Sequence, residues 1–399
     1  MIHYFNPGNE TAILNASKYY HPPVNQIKMQ KELAFLPAWY AQPNDFVLIN
    51  QKLPSEFIRK TEDLNMVDRS ITVSDFIDRK ETLNREKICL WGPAPNSIHL
   101  FEKIKSEYNL DIDIPKWKTE YALLSSRHTA FSVLKKLMSR ISSVEKDILP
   151  SFFSEVTDIE QYVSDKNTKL VLKSPYSSSG RGIVWLPPGQ LNRSERQIIG
   201  GMLKKQRSAS VEKKLDKLLD FSAHFEITPD KAIRFAGYSL FETGTKGNYE
   251  KSILLPQNEI EKTLFQYIGK DLLSEVTEQL KINLSEEYAP YYEGNLGVDM
   301  MIYLSGNRFH LHPCVEINMR KSMGYLSLQL QKNYLHPDSK GFFAIEYNNQ
   351  PGQTIENHRE KTKHYPFHIK EHKIVSGYSE LCPVNENTNY HAYVLIHGR

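Results

Sequence analysis

Hydrophobic and polar positions alternate along the chain in two different rhythms. The runs DFVLIN (45–50) and KICLW (87–91) are apolar enough for buried strands, and after a turn at Gly92 and Pro93 the second leads into a helical pattern to residue 105. This strand–turn–helix alternation predicts a small α/β domain over residues 1–112. The turn either just reverses the chain at the sheet's carboxyl end or opens a substrate crevice there. Leu123, Leu124, Phe131, Leu134, Leu137, Met138 and Ile141 recur at loosely helical spacing, which predicts helix over 119–146.

A short helix at 158–165, a strand at 169–173, a strand at GIVWLPP and a helix near 190–206 follow. Residues 208–227 read as two strands around a bend, and KAIRFAGYSLFET and YEKSILLP continue the β pattern. Ile260, Leu264, Ile268, Leu272, Val276 and Leu280 recur every four residues, predicting one long amphipathic helix over 259–281 with this stripe in the core. Two strands, 295–304 and 308–318, are joined at Ser305, Gly306 and Asn307, and NYHAYVLIH reads as a last strand. No motif is readable after residue 335.

Composition narrows the class. Of 399 residues 40% are hydrophobic and 24% charged, the balance of a soluble globular chain with room for two or three domains. A formal net charge of +3 is too near neutral to make nucleic acid the main partner. Three widely spaced cysteines, Cys89, Cys314 and Cys382, make no disulfide framework and point to a reducing compartment. No signal-peptide pattern and no apolar run of roughly 18 residues occurs, so a cytoplasmic protein without membrane partners is expected.

Chemistry concentrates in the hairpin 295–318. Side chains two apart share a strand face, so Phe309, Leu311, Val315 and Ile317 are expected in the core. His310, His312, Cys314, Glu316 and Asn318 then share the other face, with Arg320 just beyond. If the strands pair, Asp299, Glu316 and Asn318 converge. Two carboxylates and an amide oxygen are hard ligands suited to Mg²⁺ that keeps waters and nucleotide phosphates. Plain cross-strand charge pairing is one alternative, and zinc on His310, His312 and Cys314 is another.

The stretch KLVLKSPYSSSGRGIVWL (169–186) joins two apolar strands by a connection too long for a tight hairpin. Lys173 at the strand's end is placed to neutralise phosphate, and the backbone N–H groups of 177–182 can fold over phosphates as a nest, with glycines allowing close approach. An ordinary mobile loop is the alternative. A dinucleotide fingerprint is excluded, since Trp185 occupies the third small position and a strand follows; no Walker motif occurs.

Taken in order, VLKSP, SSSGRG, SVEKKL, the helix 259–281, GVDMMI and VEINMR resemble the ATP-grasp superfamily over about residues 120–330. The resemblance implies an α/β (α+β) fold in which two α+β subdomains grip a nucleotide, preceded by a small Rossmann-like domain. It divides the chain into that domain at 1–112, linking helices at 113–150, a lid subdomain at 151–212 and a C-terminal subdomain with metal site and extension at 213–399. By the same resemblance Lys173 contacts phosphates, and Ser178, Ser179, Gly180, Arg181 and Gly182 cap them. Glu212 falls near the adenine hinge and Asp220 near the ribose. Asp299, Glu316 and Asn318 hold one or two Mg²⁺, with Mn²⁺ as a substitute, and Arg320 stabilises the transferring phosphate. Where the family has a further lysine, the nearest match here is Arg127.

The implied activity is ATP- and Mg²⁺-dependent ligation of a small-molecule carboxylate to an amine or other nucleophile through an acyl phosphate. A kinase acting on a hydroxyl and a nucleotide-binding regulator without turnover remain open alternatives. Arg308, His310 and His312, and the turns NPGNE (6–10) and GPAPNS (92–97), are candidates for substrate contact, as alternatives to plain surface and turn roles.

Overall fold

Four apolar runs near the N-terminus pair in parallel, in the order Ser70–Ile71, Phe46–Leu48, Ile2–Tyr4, Ile88–Leu90. Strands covered on both faces read as continuous apolar runs, which is why no alternation marks them. The helix Pro95–Glu107 brings Phe101 and Ile104 onto one face, against Ile2, Phe46, Ile71 and Ile88. The computed structural model describes residues 1–398 except Ser178, Ser179 and Lys246. It divides into two compact units, one made of residues 1–118, 250–260 and 320–399, the other of 119–249 and 261–319.

The first unit draws residues 250–260 and 320–399 to residues 1–118. Its second core joins Phe5, Trp39, Val47, Ile49 and Trp91 to Leu326, Leu330, Phe343, Ile374, Leu381, Val394 and Ile396. The segment without a readable motif thus shares a core with the N-terminal residues. Its strands are antiparallel: Lys340–Tyr347 pairs with Tyr390–His397, which pairs in turn with Lys373–Glu380.

In the second unit the strands Ser151–Phe153, Ala209–Lys213, Leu170–Lys173 and Ile183–Leu186 pair antiparallel in that order. The helices Val156–Lys166 and Arg193–Gln206 cover them through Ile159, Val163, Ile199 and Leu203. A capping box fixes where the latter helix begins, with Asn192 accepting from Glu195 N and Glu195 from Asn192 N. Further strands run Arg308–Asn318, Gly294–Ser305, Asp216–Ile227, Ile233–Thr243 in order, each pair antiparallel.

Two predicted helices are interrupted. The stretch 119–146 forms Glu120–Leu124 and Arg127–Arg140, because Ser126 leaves the helical conformation and its side chain caps His128 N. Leu123, part of the helical spacing, is 63% exposed. The long helix breaks at Gly269 (φ 72°) into Gln257–Ile268 and Lys270–Glu287. Ile260, Leu264, Val276 and Leu280 are nevertheless buried as the stripe requires.

Candidate functional site

The acidic residues of the hairpin meet in register. Asp299 lies directly opposite Glu316, and Gly297 opposite Asn318. Asp299 Oδ1 accepts from Ser222 Oγ at 2.6 Å, and Asp299 Oδ2 accepts from Asn318 Nδ2 at 3.0 Å. Like charges directly opposite in an antiparallel pair are destabilising. The Arg127 guanidinium beside Glu316 offsets part of that cost, and Asp299, Glu316 and Asn318 offer the oxygen donors that could hold a divalent cation such as Mg²⁺.

Toward the turn the alternation fails. Two steps along one strand, from Asp299 to Met301, face four along the other, from Glu316 to His312. Pro313 lies in this bulge, where a residue without N–H belongs. Val315 therefore does not join Leu311 and Ile317 in the core but lines a small cavity with Lys173. Phe309, also expected in the core, is 44% exposed and meets Tyr267 edge-on.

His312 and Cys314 are buried; Cys314 Sγ points to Ala130 O in the helix Arg127–Arg140. Burial pushes the Cys314 thiol up and holds His312 down at about 4. His310 stacks on Tyr303 and reaches Glu145 at 3.2 Å. Among the described residues no three of His, Cys, Asp or Glu gather as a metal-ligand group, so the zinc alternative has no geometry to support it.

Lys173 ends its strand almost fully buried, in an ion pair with Glu212. Glu212 lies inside the strand Ala209–Lys213, opposite Val171, and not in the connection to the next strand. Lys173, Glu212, Ser210, His312 and Arg127 border a cavity of about 20 Å³, room for one water molecule.

Arg127 is the first residue of its helix, and its guanidinium fork reaches three acceptors on two separate stretches of chain. Nε donates to Ser174 O (3.1 Å), one terminal nitrogen to Val315 O (3.4 Å) and the other to Glu316 Oε2 (2.6 Å). The helix start thereby ties the end of the lysine strand to the acidic hairpin.

The Ser/Gly loop is closed at its base by Ser174 N donating to Gly182 O (2.8 Å). Gln206 holds Tyr176 through both its N–H and its carbonyl, and Arg127 N donates to Pro175 O. A Cβ on Gly182 would lie 2.0 Å from Ser174 Oγ. Gly180 has φ +73° and approaches the backbone of Gly247 so closely that a Cβ would lie 2.8 Å from it. Arg181 is exposed, and Ser178 and Ser179 lie outside the described residues.

Asp220 accepts from Thr243 Oγ1 (2.8 Å) and pairs with Lys217. Arg320 belongs to the first unit, where its Nε donates to Glu10. Arg308 is exposed at the hairpin's tip, opposite Ser305. Ser222 was not expected at the site; its signal was its place two residues after Asp220, on the same strand face.

No protein-family model matches the chain, and no curated protein matches it in sequence. Solved structures do match. The biotin carboxylase–βγ-ATP complex from Campylobacter jejuni shares 11% identity at a TM-score of 0.51, over 99% of this chain and 87% of that one. The chain has the ATP-grasp fold. Other similar structures are N5-carboxyaminoimidazole synthetase from Staphylococcus aureus with ADP (16% identity, TM-score 0.47, 100% of this chain and 93% of that one) and the N5-carboxyaminoimidazole ribonucleotide synthetase of Thermus thermophilus (10%, 0.49, 100% and 94%). Among the described residues no helix is long and apolar enough to cross a membrane.

Arg127, Lys173, Glu212, Asp220, Asp299, Glu316 and Asn318 all belong to the second unit.

Proposed function

We propose that the protein is an ATP- and Mg²⁺-dependent ligase that joins a small-molecule carboxylate to an amine. The observation that carries this reading is the directly opposed pair Asp299 and Glu316, flanked by Asn318 and clamped by Arg127. Two facing carboxylates at the end of a strand pair make a poor structural contact and a good seat for a divalent cation.

The metal, held by Asp299, Glu316 and Asn318, would supply charge neutralisation for the phosphates. Lys173 adds a point charge at the end of the lysine strand, held in place by Glu212 until phosphate competes for it. Gly180 and Gly182 let the lid backbone lie close to its neighbours, and N–H groups of such a loop would serve phosphate oxygens. A substrate carboxylate oxygen attacks the γ-phosphorus and ADP leaves; the amine then attacks the acyl carbon, phosphate leaves and the nitrogen gives up a proton. Catalysis of the first step asks for positioning and charge, not a general base. The fold's similarity to a carboxylase solved with βγ-ATP supports the nucleotide.

The test is calorimetric binding of Mg²⁺-ATP to the wild type and to Glu316→Ala, followed by a carboxylate and amine screen for phosphate release. Metal-dependent binding that the substitution removes is the expected result. No binding at millimolar ATP overturns the reading.

A further inference from the structure

The first unit holds a cluster of polar side chains that the ligase reading does not use. His3 and Cys89 are direct partners on neighbouring parallel strands, so their side chains share a sheet face. His3 Nε2 hydrogen-bonds Asp45 Oδ2 at 2.9 Å, and Asp45 Oδ1 lies 2.9 Å from the Met1 amino group, which also meets Glu86. From the opposite side Lys321 Nζ donates to Cys89 Sγ at 3.1 Å. Tyr40 packs edge-on against the His3 ring, and the Lys321 ammonium lies 5.5 Å from the centre of the Tyr40 ring.

Among the described residues Tyr40 Oη, on a residue only 5% exposed, is buried without a hydrogen-bond partner and borders the sulfur's surroundings, while the buried His3 ring interacts with the sulfur itself. Cys89 itself is partly exposed, whereas Cys314 and Cys382 are buried.

We propose that Cys89 is a thiolate held by Lys321 and His3, and that it is a site of reversible oxidation by hydroperoxides. The sulfur attacks one peroxide oxygen; an S–O bond forms as the O–O bond breaks. Sulfur loses two electrons, the peroxide gains them, and the departing hydroxide or alkoxide takes a proton from water. Tyr40 Oη, otherwise unpartnered, is a donor for the new sulfenic oxygen. A small thiol then condenses with the sulfenic acid to a mixed disulfide and releases water, and a second thiol attacks that disulfide, freeing Cys89 and leaving the small-molecule disulfide.

Electrostatics agrees with the geometry. Burial pushes the Cys89 thiol up, but the Lys321 ammonium and the neighbouring His3 outweigh it and bring it down to about 6. Burial likewise lowers His3, and the Asp45 carboxylate and Cys89 together outweigh it and raise the imidazole above its usual value. At pH 6 such a thiol is about half ionised, against roughly 0.3% for an ordinary one near 8.5. Lower basicity gives back roughly tenfold of that in nucleophilicity, leaving an advantage of about tenfold.

The test needs neither ATP nor substrate, so its result is independent of the ligase reading. Iodoacetamide labelling of the full-length protein is followed at each cysteine by peptide mass spectrometry from pH 5 to 9. Cys89 is expected to label first, with a midpoint near pH 6, and to be the cysteine trapped by dimedone after equimolar hydrogen peroxide. Lys321→Gln should raise that midpoint by a unit or more, while Lys321→Arg keeps the charge and moves it less. A Cys89 midpoint at pH 8 or above, or dimedone trapping no stronger at Cys89 than at Cys314 and Cys382, overturns the proposal.

Discussion

The Arg127 guanidinium lies 2.6 Å from the Glu316 carboxylate while its other nitrogens hold Ser174 O and Val315 O. A fork can serve three acceptors in three directions; an ammonium is a single point on a flexible stem. Arg127→Lys, though it keeps the charge, should therefore lower stability by about 1–3 kcal/mol, the worth of a lost charge-assisted hydrogen bond. Urea unfolding of the two proteins checks this. An unchanged midpoint and slope would mean that the clamp does not hold the hairpin to the lysine strand.

Mg²⁺ alone should stabilise the wild type, since a cation relieves the opposition of Asp299 and Glu316. The rise in melting temperature should grow with Mg²⁺ concentration as expected for a ligand that binds the folded state. Asp299→Asn removes one of the two charges and should abolish most of that rise. If the substituted protein gains as much from Mg²⁺ as the wild type, the ion is bound elsewhere.

The lid glycines separate two kinds of demand. Alanine at Gly180 must hold φ +73° and press on the Gly247 backbone, whereas alanine at Gly182 drives into Ser174 Oγ next to Lys173. Backbone strain of the first kind costs roughly 1–3 kcal/mol. Gly180→Ala should weaken Mg²⁺-ATP binding while leaving the melting temperature within a few degrees of the wild type. Gly182→Ala should lower both, because Ser174 also anchors the loop base through its N–H. Calorimetry beside a thermal melt distinguishes them; equal losses in the two proteins would contradict the separation.

The legible parts of this chain were those where one period dominates. Lys173, the acidic pair and the core stripe through Leu264 and Val276 follow from strand and helix spacing alone. Pro313 was visible, but counting by twos through it put Val315 in the core and left His312 and Cys314 on an open face. Ser126 and Gly269 were visible too, yet apolar spacing on either side concealed the helix breaks they cause. The ion pair of Glu212 with Lys173 was not legible, because no local pattern shows which residue of a neighbouring strand a lysine will meet. Least legible was the segment from Arg320 onward, whose apolar residues acquire meaning only against a domain more than 200 residues earlier.

Acid should destabilise the protein before the carboxylates titrate. Burial holds His224 near 3, His312 near 4 and His391 near 3, all below the usual 6.5. These groups are neutral in both states at pH 7. As pH falls below about 6.5 the unfolded chain takes up protons that the folded protein refuses, so stability rises with pH across that window and is lost on acidification toward 4. Three such groups give a limiting slope of about 4 kcal/mol per pH unit, an upper bound that partial opening reduces. His224, hydrogen-bonded to Ser239 Oγ at 2.8 Å, is the cleanest to remove. Melting curves from pH 7.5 to 4.5 should show a shallower decline for His224→Asn than for the wild type; parallel declines would place the acid sensitivity elsewhere.

The indole N–H of Trp39 donates to Leu381 O at 2.8 Å, joining residues 342 apart in sequence. Around that bond Leu381, Leu326, Leu330 and Phe343 have no exposed surface and pack with Phe5 and Trp91 in one core. Leu381→Ala leaves a cavity in this core and should cost about 2–5 kcal/mol. The loss should be felt across residues 1–118, not only near the substitution, because both segments of chain share the core. Hydrogen exchange reads this directly: amides of the strands Ile2–Tyr4 and Phe46–Leu48 should exchange faster in the variant, together with those of Tyr390–His397. Faster exchange confined to the C-terminal strands would show that the terminal segment folds on its own, contrary to the shared core.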